Sequence, residues 1–161
     1  MKCQVVVFSY HHKNTEKVAQ AMAEVLATSV QTPSQISLDE LQQADLIGLG
    51  SGVYSARHHQ SMLELADALP STSNGKAFIF STTGAPRFAI TDKFVASNHS
   101  RHREKLQAKG YEIVGEFSCA GFNTNLFLRY FGGLNKGRPN SDDLERAREF
   151  ARNLKQKFDG D

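Results

Sequence analysis

The first 27 residues place a buried strand next to a helix, with a polar loop between them. Residues 3–8, Cys-Gln-Val-Val-Val-Phe, are short, β-branched and apolar, which predicts a buried strand. The loop Ser-Tyr-His-His-Lys-Asn-Thr follows at 9–15, and residues 14–27 have the apolar spacing of an amphipathic helix. A chain that begins in this way is constrained towards a parallel sheet covered by helices.

The same alternation continues to the end of the chain. Further strands are predicted at 28–36, 45–50, 76–80 and 111–119, and helices at 37–41, 58–69, 91–108 and 141–158. Five strands that alternate with helices predict an α/β fold, with helices on both faces of one parallel sheet. We expect a single domain over residues 1–161, with one irregular segment at 120–140.

Composition limits the class of protein. The chain is 40% hydrophobic and 22% charged, which is ordinary for a soluble protein, and it has no apolar run long enough to span a bilayer. Cys3 and Cys119 lie in strand-like segments without a disulfide or metal-ligand spacing, so we expect a cytoplasmic protein. The formal net charge of +2 is too small to predict a nucleic-acid partner.

Three loops follow the carboxyl ends of predicted strands and should open onto one edge of the sheet. In the first, Ser9 to Thr15, the helix N-terminus favours a phosphate, and Ser9, Asn14 and Thr15 can donate hydrogen bonds to it. The alternative is that Asn14 or Thr15 only caps the helix. The spacings typical of ATP-binding and dinucleotide-binding glycine loops are absent, so another phosphate-bearing ligand is indicated.

The second and third loops offer a surface for a flat ligand. In the second, at 50–59, Gly50 and Gly52 allow close approach of the backbone. Tyr54 offers an aromatic face for stacking, or else it covers the start of the next helix. The third loop, at 81–86, has small hydroxyl residues and a glycine, which can present backbone N–H and C=O groups to the polar edge of a heterocycle.

Taken together, these motifs make the chain recognisable. The segments S-Y-H-H-K-N-T-E-K, D-L-I-G-L-G-S-G-V-Y and F-I-F-S-T-T-G resemble the flavodoxin-like family of FMN-binding proteins. The resemblance covers nearly the whole chain and extends into F-S-C-A-G-F and G-G-L-N-K-G-R-P-N. It implies a three-layer sandwich around a five-stranded parallel sheet in the order 2-1-3-4-5, with FMN as the cofactor.

The resemblance also implies the site. The first loop would hold the FMN phosphate, the second would flank the flavin ring, with Tyr54 on one face, and the third would contact the pyrimidine edge. The family usually has a glycine where this chain has Lys13, whose charge would help to bind the phosphate. The implied cofactor contacts are Ser9, Tyr10, His11, His12, Lys13, Asn14, Thr15, Ser51, Gly52, Val53, Tyr54, Ser55, Thr82, Thr83, Gly84 and Ala85.

Histidines are concentrated near these loops, as His11-His12, His58-His59, His99 and His102. No cysteine or carboxylate completes a ligand set, so we expect no metal and predict that the histidines line the cofactor's rim. Under this hypothesis His58 or His59 donates a proton or a hydrogen bond to a bound substrate. Cys119 is predicted to be inert packing rather than a flavin contact.

The segment 121–133 is apolar and aromatic, with flexible glycines. It follows the fifth predicted strand, so we expect it near the same edge of the sheet as the three loops. Two interpretations are open. The segment is a flap or docking surface over the flavin, or it is a hydrophobic plug that buries the end of the last helix. Ser141 is predicted to cap that helix.

Two functions follow from the resemblance. The first is an FMN-binding redox protein, either an electron carrier or a small flavin reductase acting on a quinone-like or protein acceptor. Carriers of this family are strongly acidic, whereas this chain has a net charge of +2, which favours an enzyme or an unusual partner. The second is a flavodoxin-like module that has lost FMN and binds a protein through residues 120–133.

Overall fold

Strands and helices alternate along the chain and build one sheet between two helical layers. The computed structural model describes residues 1–10 and 12–159, without the side chains of residues 126 and 159. The strands are β1 (Cys3–Phe8), β2 (Val30–Gln31), β3 (Leu46–Tyr54), β4 (Arg57–His58), β5 (Lys76–Thr83) and β6 (Glu112–Ala120). The helices are α1 (Asn14–Leu26), α2 (Leu38–Gln42), α3 (Gln60–Ala68), α4 (Asp92–Ala108) and α5 (Ser141–Asp159), with 3₁₀ turns at Arg87–Ala89 and Leu126–Phe131.

The sheet is parallel and has the strand order β2-β1-β3-β5-β6. With β4 set aside, this is the predicted five-stranded order 2-1-3-4-5, so the fold prediction is confirmed. Helices α1 and α5 pack together on one face, and α3 and α4 pack together on the other. Among the described residues, no helix is long and apolar enough to cross a membrane.

The short strand β4 was not predicted, because residues 51–54 look like a loop in the sequence. In the structure β3 continues to Tyr54, turns at Ser55 and Ala56, and pairs antiparallel with β4. The two turn residues have φ values of 50° and 60°, the left-handed conformation that tight hairpins require. Residues 51–54 belong to a strand because β5 also extends beyond its predicted end, to Thr83. Ser81 of β5 pairs with Ser51, and Thr83 pairs with Val53.

One expectation was wrong in detail, and one strand is shorter than its predicted range. Strand β2, predicted over 28–36 with an interruption at Pro33, is two residues long and ends before that proline, which has no N–H group to continue the ladder. Ser141 does not precede the last helix but is its first residue. The Asp143 N–H donates to Asn140 Oδ1 over 3.1 Å, so Asn140 acts as the cap.

Close packing at the centre of the sheet depends on two glycines of β3. A Cβ atom at Gly48 would lie 2.1 Å from the Phe78 ring, and one at Gly50 would lie 2.2 Å from the Phe80 ring. Both phenylalanines are on β5 and are fully buried. The glycines therefore let two large rings lie directly against the β3 backbone.

We expect Gly48→Ala to destabilise the fold by about 3 kcal/mol, because the Phe78 ring is buried and has nowhere to move. The free energy of unfolding, measured by urea titration, checks this. The double variant Gly48→Ala/Phe78→Leu should lose less stability than the sum of the two single variants. Additive losses would show that the methyl group does not meet this ring.

Candidate functional site

A cavity of about 630 Å³ opens at the carboxyl ends of β3, β5 and β6. Its volume lies within the range of small-molecule sites, about 300–1,000 Å³. It is lined by Asn14, Thr15, Gly52, Val53, Tyr54, Ser55, Ala56, Thr82, Thr83, Gly84, Ala85, Phe94, Asn98, Gly121, Phe122, Asn123, Thr124 and Asn125. The three predicted loops therefore do meet at one edge of the sheet.

Most, but not all, of the predicted contact residues line this cavity. Ten do so: Asn14, Thr15, Gly52, Val53, Tyr54, Ser55, Thr82, Thr83, Gly84 and Ala85. Ser9, Tyr10, His12, Lys13 and Ser51 do not, and His11 lies outside the described residues. Sequence reasoning did not name Ala56, or Phe94 and Asn98 on α4, which no motif marked. The wall at 121–125 belongs to the segment that the sequence placed at this edge, but none of its residues was assigned a contact.

Helix α1 begins beside the cavity without a side-chain cap among the described residues. Asn14 Nδ2 instead donates to the Phe122 carbonyl over 3.0 Å, and the Thr15 hydroxyl lies 2.8 Å from the Thr82 hydroxyl. The capping interpretation of these two residues is therefore wrong. Their side chains join α1 to two other walls of the cavity, and no side chain of residues 1–10 and 12–158 accepts from the N–H groups of the first turn.

Four described residues of the first loop, Ser9, Tyr10, His12 and Lys13, do not line the cavity. Ser9 and Lys13 line a separate cleft beside β2, and Lys13 Nζ lies 3.4 Å from Glu16 Oε2. Tyr10 is exposed, whereas His12 contacts two residues of the cavity wall: its Nε2 lies 3.0 Å from the Thr124 hydroxyl, and its ring centroid lies 4.6 Å from that of Phe122. The backbone turns before α1, with a φ of 52° at both residues 12 and 13. Lys13 thus holds the conformation that glycine adopts most easily.

Two buried amide atoms on the cavity walls have no hydrogen-bond partner within the part of the chain that the structure describes. They are Asn14 Oδ1, an acceptor, and Asn98 Nδ2, a donor. An unsatisfied buried polar group costs about 1–3 kcal/mol. A ligand that offers both a donor and an acceptor to these walls recovers that cost, as a polar heterocycle does.

The β3–β4 hairpin supplies a further wall of the cavity. The Tyr54 ring folds over Gly52, where an added Cβ would lie 2.8 Å from the phenol oxygen. The Ser51 hydroxyl is fully buried, donates to the Gly52 carbonyl over 3.0 Å and accepts from the His59 N–H over 3.0 Å. The Ser51 side chain therefore does not line the cavity but fixes the Gly52 peptide from behind.

Three of the histidines are buried against one another instead of lining a rim. His58 lies with its ring centroid 4.8 Å from that of His99 and 4.7 Å from that of His102. All three are nearly inaccessible, so His58 is not placed to donate a proton to a substrate. His59 is half-buried, stacks on Phe8 at 3.9 Å and accepts from the Ser61 N–H as the cap of α3.

Hydrogen bonds hold the middle of this histidine cluster. His99 lies 2.8 Å from the Ser81 hydroxyl through Nε2 and 3.0 Å from Glu116 Oε2 through Nδ1. Arg103 donates two hydrogen bonds to the same carboxylate, at 2.6 and 3.0 Å. By contrast, His58 Nε2 and both ring nitrogens of His102 are buried and have no hydrogen-bond partner among the residues described.

Burial controls the charge of these histidines. It lowers the pKa of His58 well below its ordinary value, and the neighbouring His102 and His99 lower it further. Burial also lowers the pKa of His102 to about 3, with His99 and Lys105 acting in the same direction and Glu116 opposing them. Burial alone would raise the pKa of Glu116, but hydrogen bonds from His99 and Arg103 outweigh it and bring that pKa to about 2.

We expect stability to fall as the pH is lowered from about 6.5 towards about 3. The unfolded chain takes up protons on His58 and His102 in that range while the folded protein leaves them neutral, so protons favour unfolding. Each histidine contributes a slope of about 1.4 kcal/mol per pH unit where the two states differ fully. Urea unfolding at a series of pH values measures the slope.

His102→Leu is expected to reduce this slope by about one proton, since it removes one of the two histidines whose pKa is lowered by burial. The matched control is Gln107→Leu, which makes a polar-to-leucine change at an exposed position of the same helix, removes no titratable group and should leave the slope as it is. An unchanged slope in the His102→Leu protein would contradict the assignment.

The segment after β6 divides into a wall and an exposed surface. Phe122 lines the cavity, and Asn135 Nδ2 donates to the Ala85 carbonyl over 2.9 Å, which ties the segment to the third loop. Phe127, Tyr130 and Phe131, in the 3₁₀ turn, are exposed. The plug interpretation is therefore wrong for these three rings, and a flap or docking role for them stays a prediction.

The two cysteines are buried and free. Burial raises the pKa of Cys3 and of Cys119 to about 12, so neither is a thiolate at neutral pH. The interpretation of Cys119 as packing is confirmed, since it lies in the core between the sheet and α1 and α5. Within residues 1–10 and 12–159, no group of three His, Cys, Asp or Glu side chains is arranged to hold a metal ion.

Comparison with known proteins establishes the family. The model of the flavodoxin domain matches residues 5–152. The chain belongs to the flavodoxin family. An uncharacterized protein of Methanocaldococcus jannaschii is 44% identical over 155 residues, which cover 96% of this chain and 98% of that protein.

Solved flavodoxins share the fold at low sequence identity. Oxidised Flavodoxin 2 from Bacillus cereus superposes with a TM-score of 0.67 at 17% identity, covering 98% of this chain and 99% of that one. A Fusobacterium nucleatum flavodoxin bound to flavin mononucleotide gives a TM-score of 0.65 at 12% identity, with coverage of 98% and 99%. At these identities, the likeness shows the flavodoxin fold.

Proposed function

We propose that this protein binds FMN in the cavity at the carboxyl edge of the sheet and acts as a redox protein. The observation that carries the proposal is the pair of unpartnered, buried amide atoms, Asn14 Oδ1 and Asn98 Nδ2, on the walls of a cavity of about 630 Å³. Family membership supports it, as does the flavodoxin of Fusobacterium nucleatum, which is bound to flavin mononucleotide.

The chain offers groups that fit both ends of this cofactor. The start of α1 has no side-chain cap among the described residues, so its N–H groups and the helix dipole suit a phosphate dianion. Thr15, whose hydroxyl bonds to that of Thr82, lies on the same wall of the cavity. The Thr82 to Ala85 segment and Asn98 suit the polar edge of the flavin, and Tyr54 suits one ring face.

We propose that the first loop binds the phosphate through groups other than the predicted side chains. Because Lys13 is paired with Glu16 and lies outside the cavity, we propose that backbone groups, not the Lys13 ammonium, hold the phosphate. The Ser51 hydroxyl positions the Gly52 peptide, which lines the cavity where we propose that the flavin ring lies. When bound, FMN supplies one- or two-electron chemistry, and the protein supplies its position and surroundings.

The direct test is an absorption spectrum of the purified protein with and without added FMN. We expect flavin bands to stay with the protein through desalting, and FMN fluorescence to change on titration. Stepwise reduction with dithionite then separates one-electron transfer, typical of a carrier, from direct two-electron transfer, typical of a reductase. A protein that neither retains FMN nor alters its fluorescence has lost the cofactor and fits the binding-module alternative.

Asn98→Leu is expected to weaken FMN binding about tenfold, since it removes a donor that only a ligand can satisfy. Without ligand, the same variant should be at least as stable as the parent, because an unsatisfied buried amide is gone. Isothermal titration with FMN and urea unfolding measure the two effects.

The matched control is Asn74→Leu, which changes an exposed asparagine just before β5, at the opposite edge of the sheet. It should leave FMN affinity unchanged. Equal FMN affinity in the Asn98→Leu and parent proteins would contradict the proposed contact, whatever the control does.

A further inference from the structure

Positive charge is concentrated on the loops that surround the cavity. Residues 9–13, 55–59, 84–91 and 121–140 contain no Asp or Glu, but they hold Lys13, Arg57, Arg87, Arg129, Lys136 and Arg138. The whole chain has 19 Lys and Arg against 17 Asp and Glu, so the remainder of the molecule is acidic. The net charge of +2 is therefore the sum of a positively charged set of loops and a negatively charged remainder.

Four of these cations have no carboxylate partner among the described residues. Lys13 pairs with Glu16, and Arg138 pairs with Asp143 at 2.7 Å. Arg57, Arg87, Arg129 and Lys136 are all exposed and make no ion pair with any residue of 1–10 or 12–159. Acidic residues follow the loops, in the first turns of α1, α2, α4 and α5.

Large aromatic side chains stand among these cations. Phe88 is 87% exposed, Phe127 64%, Tyr130 74% and Phe131 81%. The Arg129 guanidinium lies 4.9 Å from the centre of the Tyr130 ring. Exposed aromatic rings interleaved with arginine have the composition of a protein–protein interface, where these residue types are enriched.

We propose that this face, which we name the cationic rim (Arg57, Arg87, Arg129, Lys136, Phe88, Phe127, Tyr130 and Phe131), docks an acidic protein. The cations lie on three separate loops, so they suit a broad carboxylate-bearing surface better than one small anion. Ala56, which precedes Arg57, Ala85, two residues before Arg87, and Asn125, four residues before Arg129, line the cavity, so three of the rim cations follow closely on its walls. That the docked protein exchanges electrons with this site rests on the proposed function.

The first experiment follows electron transfer by stopped flow. Reduced plant-type ferredoxin, an acidic iron–sulfur protein, is mixed with the FMN-loaded protein, and cytochrome c, a basic protein, is mixed with the reduced form. Between about 0.01 M and 0.15 M salt, the Debye length falls from about 30 Å to about 8 Å. We expect the ferredoxin rate to fall about tenfold, and the cytochrome c rate to rise or stay level. The reverse pattern would overturn the proposal.

Charge reversal locates the surface. The variant Arg87→Glu/Arg129→Glu/Lys136→Glu should abolish the salt dependence with ferredoxin and slow the reaction about tenfold at low salt. The matched control Lys109→Glu/Lys155→Glu/Lys157→Glu makes the same change of net charge near the ends of α4 and α5, at the opposite edge of the sheet. Equal behaviour of the two variants would mean that net charge, and not the cationic rim, governs the encounter.

A second experiment does not depend on FMN. Fluorescence anisotropy of labelled ferredoxin measures its binding to the protein without added flavin. Salt-sensitive binding that the rim variant loses and the control keeps supports the proposal, even if the protein holds no FMN. Equally strong competition by duplex DNA or by vesicles of anionic lipid would mean a general affinity for polyanions, and no binding of ferredoxin would also overturn the proposal.

Discussion

The rest of the structure depends on the pairing of β3 with β5 at the centre of the sheet. Eight residues of each strand are in parallel register, from Leu46 and Lys76 to Val53 and Thr83. That register holds only because Gly48 and Gly50 leave room for the phenylalanine rings of β5. It carries both strands to the same edge, where the hairpin after β3 and the segment after β5 become opposite walls of one cavity.

Behind the cavity, a polar cluster replaces ordinary apolar packing. His58 on β4 packs against His99 and His102 of α4, and Ser81 of β5 bonds to His99. The cluster thereby connects the hairpin, a helix and the sheet. The ring nitrogens that have no partner among the described residues lower the stability of the folded protein. They lie next to the residues that shape the site.

The groups inside the cavity differ in charge from those around it. Inside the cavity the groups are uncharged: amides, hydroxyls, three aromatic rings and the N–H groups of a helix start. Outside it, the charges are cationic and the large exposed side chains are aromatic. Neutral groups suit close, specific contacts with a ligand, whereas exposed charges act over a Debye length and guide the approach of a partner.

By itself, the sequence determined the α/β class, because apolar periodicity reports burial, and it placed three loops at one edge, because parallel strands bring their carboxyl ends together. The strand order and ten of the cavity-lining residues came from the resemblance to the flavodoxin-like family. Only the tertiary structure decided which side chains face the cavity and which face the core. Ser51 and His58 lie in or beside predicted loops, yet they face the core, because β3 pairs with β5 through residues that look like a turn. Asn98 could not be found from the sequence, since its role comes from where α4 packs, and a helix pattern contains no information about that neighbour.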